Sequence, residues 1–248
     1  KDGEIIARQI IRMAEQLLVC RSSLQIKGVG ISSIGPLDYE HGGVVNSPNV
    51  NFRFIPLLHP LKMHFRTPTV LLNDCNAAVL GEWHIGAGKN MRHLLYITLS
   101  TGIGGGAIVD GKLAFGKSGN AAEIGHMVVD TFYGLQCTCG KGTGHWEGYA
   151  SGRNIPKFFE QWTISRGNNM DPMLQHAASI FRAAREGNAD TRDFLKELAL
   201  INARGISNTI VAYDPQLITI GGSVALKNPR EVIRATIPFV DRYLRPPR

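Results

Sequence analysis

Cysteine is scarce in this 248-residue chain: Cys20, Cys75, Cys137 and Cys139 are the whole complement. Four scattered thiols exclude a disulfide-framed scaffold, and only Cys137-Thr138-Cys139 forms a close pair. No apolar run approaches the ~18 residues of a membrane span, and no secretory leader is seen, so a cytoplasmic location is expected. No run of four basic residues exists, although the net charge is +7 and the pI near 9.4. With no helix-turn-helix at the front, that charge reads as a basic surface suited to anionic ligands, with no nucleic acid or membrane as partner. Tandem repeats, low-complexity tracts and long linkers are also lacking. Hydrophobic residues at 44% against 19% charged can bury a core, and the length allows one large or two modest domains.

Glycine is what the chain has in quantity, and it is concentrated where chemistry needs it. The apolar run Leu94–Leu99 breaks into Ser100-Thr101-Gly102-Ile103-Gly104-Gly105-Gly106, followed by Ala107-Ile108-Val109 and the turn pair Asp110-Gly111. This is a hairpin signal with a glycine-rich polar turn at its front. Four glycines and two hydroxyls in seven residues let a backbone approach a phosphate chain closely. The stretch ends in Glu123-Ile124-Gly125-His126, a carboxylate and an imidazole three residues apart. Together these suggest an enzyme that handles a phosphorylated nucleotide and a polar second substrate.

Around this stretch the pattern is mixed α/β. Asp2–Cys20 carries an apolar stripe (Ile6, Ile10, Met13, Leu17) and predicts a helix. Strands are predicted at Ile26–Ser32, Thr69–Leu72 and Gln216–Ile220, and 38–51 reads as a loop. Gly152–Trp162, Pro172–Glu186, Asp190–Tyr213 and Pro229–Leu244 read as helices. Asn73-Asp74 ends a strand where a helix begins, the place where open α/β sheets hold ligands; the plain alternative for Asp74 is a helix cap. Gly221-Gly222-Ser223 ends the last strand and offers a second backbone approach, or an ordinary turn.

These residues converge on a known pattern. Leu99-x-x-Gly102-Ile103-Gly104-x-Gly106-Ala107, then Gly116, then Ala122-x-x-Gly125-His126 resembles the signature of the ROK family of sugar kinases and repressors at every position. Asn73-Asp74-x-Asn76-Ala77-Ala78, Cys137-x-Cys139-Gly140 and Glu147-Gly148-Tyr149-Ala150-Ser151-Gly152 extend the resemblance over nearly the whole chain. Within the family the chain is most similar to archaeal-type ATP-dependent glucokinases and hexokinases. The resemblance implies an actin-like (ribonuclease H-like) ATPase fold with two lobes around a cleft, 1–72 and 73–248. It implies an ATP-dependent hexose kinase, best matched to glucose, with Asp74 as catalytic base. Asn73, Glu123, His126 and Glu147 match sugar-contacting positions, and Asn49 and Gly35 lie in loops that resemble the remaining sugar contacts. Thr101, Gly102 and Gly104 match the second phosphate loop, and Gly221 and Gly222 the adenosine-side loop. ATP with Mg2+ is the implied cosubstrate and a homodimer the implied assembly.

The family's structural zinc is held by one His and three Cys. Here His126, Cys137 and Cys139 match three ligands, and His145 stands near the fourth, completing a Cys2His2 set that is ordinary for zinc. The alternative is a metal-free knuckle in which His145 packs. The family's first phosphate loop has no counterpart ahead of Lys1 and its last helix none beyond Arg248, so an incomplete small lobe is expected. Rival readings are a kinase for fructose, mannose or N-acetylmannosamine, and a sugar-sensing repressor that binds without phosphorylating.

Overall fold

The computed structural model describes residues 3–19, 25–47 and 50–244. The chain divides into two compact units. The first comprises Lys1–Ala78 with Phe115–Ala121, and the second Val79–Ala114 with Ala122–Arg248.

In the first unit, helix α1 (Glu4–Val19) forms as predicted, but of its apolar stripe only Ile6 and Ile10 pack against a core, while Met13 and Leu17 are exposed. Strand β1 (Val29–Ser33) pairs in parallel with β5 (Thr69–Asn73), register Ser33 to Asn73. The segment 38–51, expected to be a loop, instead holds one short strand and the end of another. β2 (Leu37–Asp38), β3 (Gly43–Val45) and β4 (Phe54–Pro56) form a three-stranded antiparallel sheet. Strands of two or three residues are too short for an alternating pattern to stand out from loop sequence. Leu37, Val44, Ile55, Leu57 and Leu71 make a small core, with α2 (Leu58–Phe65) following β4. Helix α3 (Asp74–His84) starts directly on the end of β5.

The second unit is built on β6 (Leu94–Leu99), whose side chains alternate into a core beneath. β6 pairs antiparallel with β7 (Ile103–Val109) and parallel with β9 (Leu217–Gly221); the short β8 (Lys112–Leu113) completes the order β8-β7-β6-β9. Asp110 and Gly111 both have positive φ, 52° and 69°, the requirement of the two-residue hairpin turn their identity predicts. Helices α4 (Glu147–Ala150), α5 (Ile155–Ser165), α6 (Ala177–Glu186) and α7 (Ala189–Tyr213) follow. Trp146, Tyr149, Phe158, Phe159, Phe181 and Phe194 are almost wholly buried among them.

Asn188 caps α7 by accepting the Thr191 N–H at 2.9 Å, and Phe194, Leu198, Ile201 and Gly205 line its inner face. Two predicted helices are broken. Pro172–Glu186 divides at His176, whose extended backbone separates a 3₁₀ turn (Pro172–Leu174) from α6. Pro229–Leu244 becomes a π turn (Arg230–Arg234) and a separate short α9 (Ile237–Val240) that starts around Pro238, which has no N–H to continue a helix. The short α8 (Ser223–Lys227) follows β9.

Candidate functional site

In the first unit, Asn73 is the last residue of β5 and Asp74 the first of α3. The Cys75 N–H donates to both Asn73 Oδ1 and Asp74 Oδ1, each at 2.9 Å. That shared donor fixes the strand-to-helix corner and holds both side chains at the carboxyl end of the sheet. Gly35 belongs to the same neighbourhood: a Cβ there would lie 3.6 Å from Asn73 Nδ2. Behind the corner Asn76 is 2% exposed, and its Oδ1 has no hydrogen-bond partner among the described residues. The Tyr39 ring packs edge-on against Phe115, and burial raises the Tyr39 phenol above its ordinary value. Asn49 lies outside the described residues.

In the second unit, the glycine-rich stretch is tighter than expected. Only Ser100, Thr101 and Gly102 form the turn, closed by the Ser100 N–H donating to the Gly102 carbonyl at 2.9 Å; Gly104 to Gly106 already belong to β7. Thr98 pairs with Gly104 on one side and with Gly221 on the other. The two predicted nucleotide loops are therefore neighbours through one strand. They also touch directly: Ser100 Oγ and Ser223 Oγ are 3.2 Å apart, and a Cβ on Gly222 (φ 90°) would strike the Leu99 backbone. Gly125 is equally constrained, since its Cβ would collide with the Ile103 carbonyl.

Glu123 precedes the 3₁₀ turn Ile124–His126, and its Oε2 lies 3.8 Å from His126 Nε2. Glu147 opens α4 and engages both carboxylate oxygens. Oε2 accepts the Ile103 N–H at 3.0 Å; Oε1 accepts the Thr138 hydroxyl at 2.7 Å and the Cys137 thiol at 3.7 Å.

His126, Cys137, Cys139 and His145 come together, their ligand atoms all within 4.8 Å of one another. Cys137 Sγ is 3.7 Å from His126 Nδ1, and Cys139 Sγ is 3.7 Å from His145 Nδ1. A tetrahedral zinc with ordinary bond lengths sets neighbouring N and S ligands about 3.5 Å apart, so this donor set fits the ion. Burial pushes the Cys137 thiol up to about 12 and the His145 imidazole down. A bound cation would oppose the first by favouring the thiolate.

The knuckle is anchored to α7 by residues that no motif signals. Arg204 donates to Asp130 Oδ1 at 2.9 Å, and Asn208 Nδ2 to the Val128 carbonyl at 3.3 Å. The Trp146 indole N–H donates to Asn202 Oδ1 at 2.9 Å. Val128 bridges His145, so these contacts fix the chain on either side of the histidine ligands. Such partners lie about 55 to 80 residues apart in sequence, and nothing local announces them. Thr138 is different: its place between two cysteines could have marked it.

The fold is mixed α/β, with a glycine hairpin joined through one strand to a second glycine loop, and it matches that of ROK hexokinase structures. A family model described as ROK family matches residues 3–244, and the chain belongs to the ROK family. It is 44% identical over 230 residues to a glucokinase of Pyrobaculum calidifontis, covering 91% of this chain and 74% of the relative. It superposes on the ROK hexokinase of Thermus thermophilus with a TM-score of 0.79 at 28% identity, covering 98% of this chain and 78% of that one. On a ROK family glucokinase of Streptomyces griseus, in complex with glucose and AMPPNP, the TM-score is 0.74 at 32% identity, with 97% and 81% covered. No helix among the described residues is long and apolar enough to cross a membrane.

Proposed function

We propose that this protein phosphorylates glucose, transferring the γ-phosphoryl group of ATP to the sugar 6-hydroxyl. The observation that carries the reading is the 44% identity to a glucokinase across 91% of the chain. A sugar hydroxyl is a weak nucleophile. Asp74 orients it and takes its proton as the phosphoryl group arrives, and alignment and charge stabilisation supply most of the acceleration. The doubly accepted Cys75 N–H supports this role, because it locks the corner that carries the carboxylate.

Asn73, Glu123, His126 and Glu147, with Gly35 and Asn49, are the sugar contacts in this reading; amides, carboxylates and an imidazole suit a ring of hydroxyls. Thr101, Gly102 and Gly104 serve the nucleotide phosphates, and Gly221 and Gly222 the adenosine side. Their adjacency across Thr98 supports one continuous nucleotide surface. The nucleotide enters as its magnesium complex. His126, Cys137, Cys139 and His145 would hold a structural zinc, which supplies a clamp on the knuckle and no chemistry of transfer. We read the assembly as a homodimer, and consumption of ATP suits a cytoplasmic enzyme. The test is a panel of hexoses with ATP, read by ADP release. Glucose should stimulate release most. Stimulation by none of the sugars contradicts kinase activity, and a stronger response to fructose or N-acetylmannosamine reassigns the substrate.

A further inference from the structure

We propose that Glu147 couples the sugar side of the site to the glycine turn facing the nucleotide, and that Thr138 is the positioning residue holding Glu147 in that role. The inference rests on the reading of Glu147 as a sugar contact and of the turn as a phosphate contact. It adds a connection between them.

The first observation concerns Gly102. A Cβ there would lie 2.6 Å from Glu147 Oε2, so this position is kept bare for the carboxylate as well as for any phosphate. The same oxygen accepts the next N–H, that of Ile103, at 3.0 Å. The turn is thus seated on Glu147. The second observation concerns the other oxygen, which accepts the Thr138 hydroxyl at 2.7 Å from within the cysteine knuckle. A carboxylate is a rigid planar group, so displacing one oxygen rotates the other. A carboxylate oxygen can accept two hydrogen bonds, and Oε2 takes one, from Ile103, which leaves it room for a sugar hydroxyl.

The backbone beneath does not absorb such a rotation. Trp146, immediately before Glu147, is fully buried; its N–H donates to the Met127 carbonyl at 2.9 Å and its indole to Asn202. Beyond the end of α4, the Gly152 N–H donates to the Ser100 carbonyl at 2.7 Å. The turn is therefore gripped by the start of α4 through the Glu147 side chain and from beyond its end through backbone. Only the side-chain grip responds to a ligand. A sugar hydroxyl on Glu147 biases the carboxylate toward the geometry that seats Ile103. By linkage, a nucleotide that orders the turn tightens sugar binding by the same factor.

The experiment is calorimetric titration of the full chain with magnesium AMPPNP, with and without saturating glucose. In the wild type, glucose should tighten analogue binding about five-fold or more, within the usual span of coupling between sites. Thr138→Val removes the hydroxyl, preserves shape and leaves the cysteines in place. It should bring the ratio to about one, leave analogue affinity without glucose within about two-fold of wild type, and raise the glucose KM. Thr138→Ser, which keeps the hydroxyl, should restore the ratio. A merely structural Thr138 would lower Tm in the valine variant while leaving the ratio intact, and that result overturns the proposal. So does a wild type whose analogue affinity ignores glucose. Failure of the kinase reading looks different: glucose and analogue bind, with coupling, but no glucose-dependent ADP release occurs.

Discussion

Asp74 and Asn73 accept the same N–H, that of Cys75, and this sharing decides what a substitution at Asp74 does. An amide oxygen accepts that hydrogen bond as a carboxylate oxygen does. Asp74→Asn should therefore keep the strand-to-helix corner, the melting temperature and the glucose affinity close to wild type, checked by calorimetry, while removing the proton acceptor. Residues of this kind were legible in the sequence because their signal is local: Asn-Asp at a strand end, glycines in a turn, Glu and His three apart. Asp130 was not legible, because its partner Arg204 arrives only when the knuckle folds onto α7, and Thr138, though marked by its place between two cysteines, gave no sign that Glu147 is its partner. The sharing of Glu147 between Ile103 and Thr138 is likewise a product of tertiary closure, not of spacing.

At the scale of elements, α7 was the clearest feature of the sequence. It is amphipathic, it is capped by Asn188, and its predicted and observed ends agree within a residue. Short strands and broken helices were hidden, since a two-residue strand has no period and an extended His176 has no signature. Two predictions belong to this helix. A Cβ on Gly205 would collide with the Trp146 indole. Gly205→Ala should therefore forfeit the ~1 kcal/mol that alanine ordinarily adds inside a helix and lose about 1–3 kcal/mol from overpacking, measured by chemical denaturation. Burial raises the Glu197 carboxyl above its ordinary value. As pH rises the unfolded chain ionises first, so the charge weakens the native state above the ordinary carboxylate range and does nothing below it. Glu197→Gln should raise Tm at pH 7 and leave it unchanged below about pH 4. A gain at both pH values would point to packing instead.

At the scale of the molecule, the sheet order β8-β7-β6-β9 brings the hairpin glycines and Gly221 to opposite sides of one central strand. That order could not be read from the sequence, because β9 reaches β6 across about 120 residues that include β7, β8, the knuckle and helices α4 to α7. The cysteine knuckle is the other large-scale feature. Its ligands lie on either side of a long excursion, and metal binding would contribute directly to folding of that region. Purified protein should carry about one zinc per chain. Chelation should lower both Tm and glucose affinity, and His145→Ala should abolish retention of the ion; an alanine variant that keeps its zinc would contradict the fourth ligand, and metal analysis finding none in the wild type would contradict the zinc site.

The central claim is that glucose is phosphorylated at its 6-hydroxyl with Asp74 as the base. Its most direct test is product analysis by phosphorus NMR of wild type and Asp74→Asn incubated with magnesium ATP and glucose. The wild type should yield glucose 6-phosphate, and the folded, glucose-binding variant should form it at a rate lower by about 10²- to 10⁴-fold. Wild-type turnover in the variant, or no phosphorylated glucose from the wild-type protein, would contradict it.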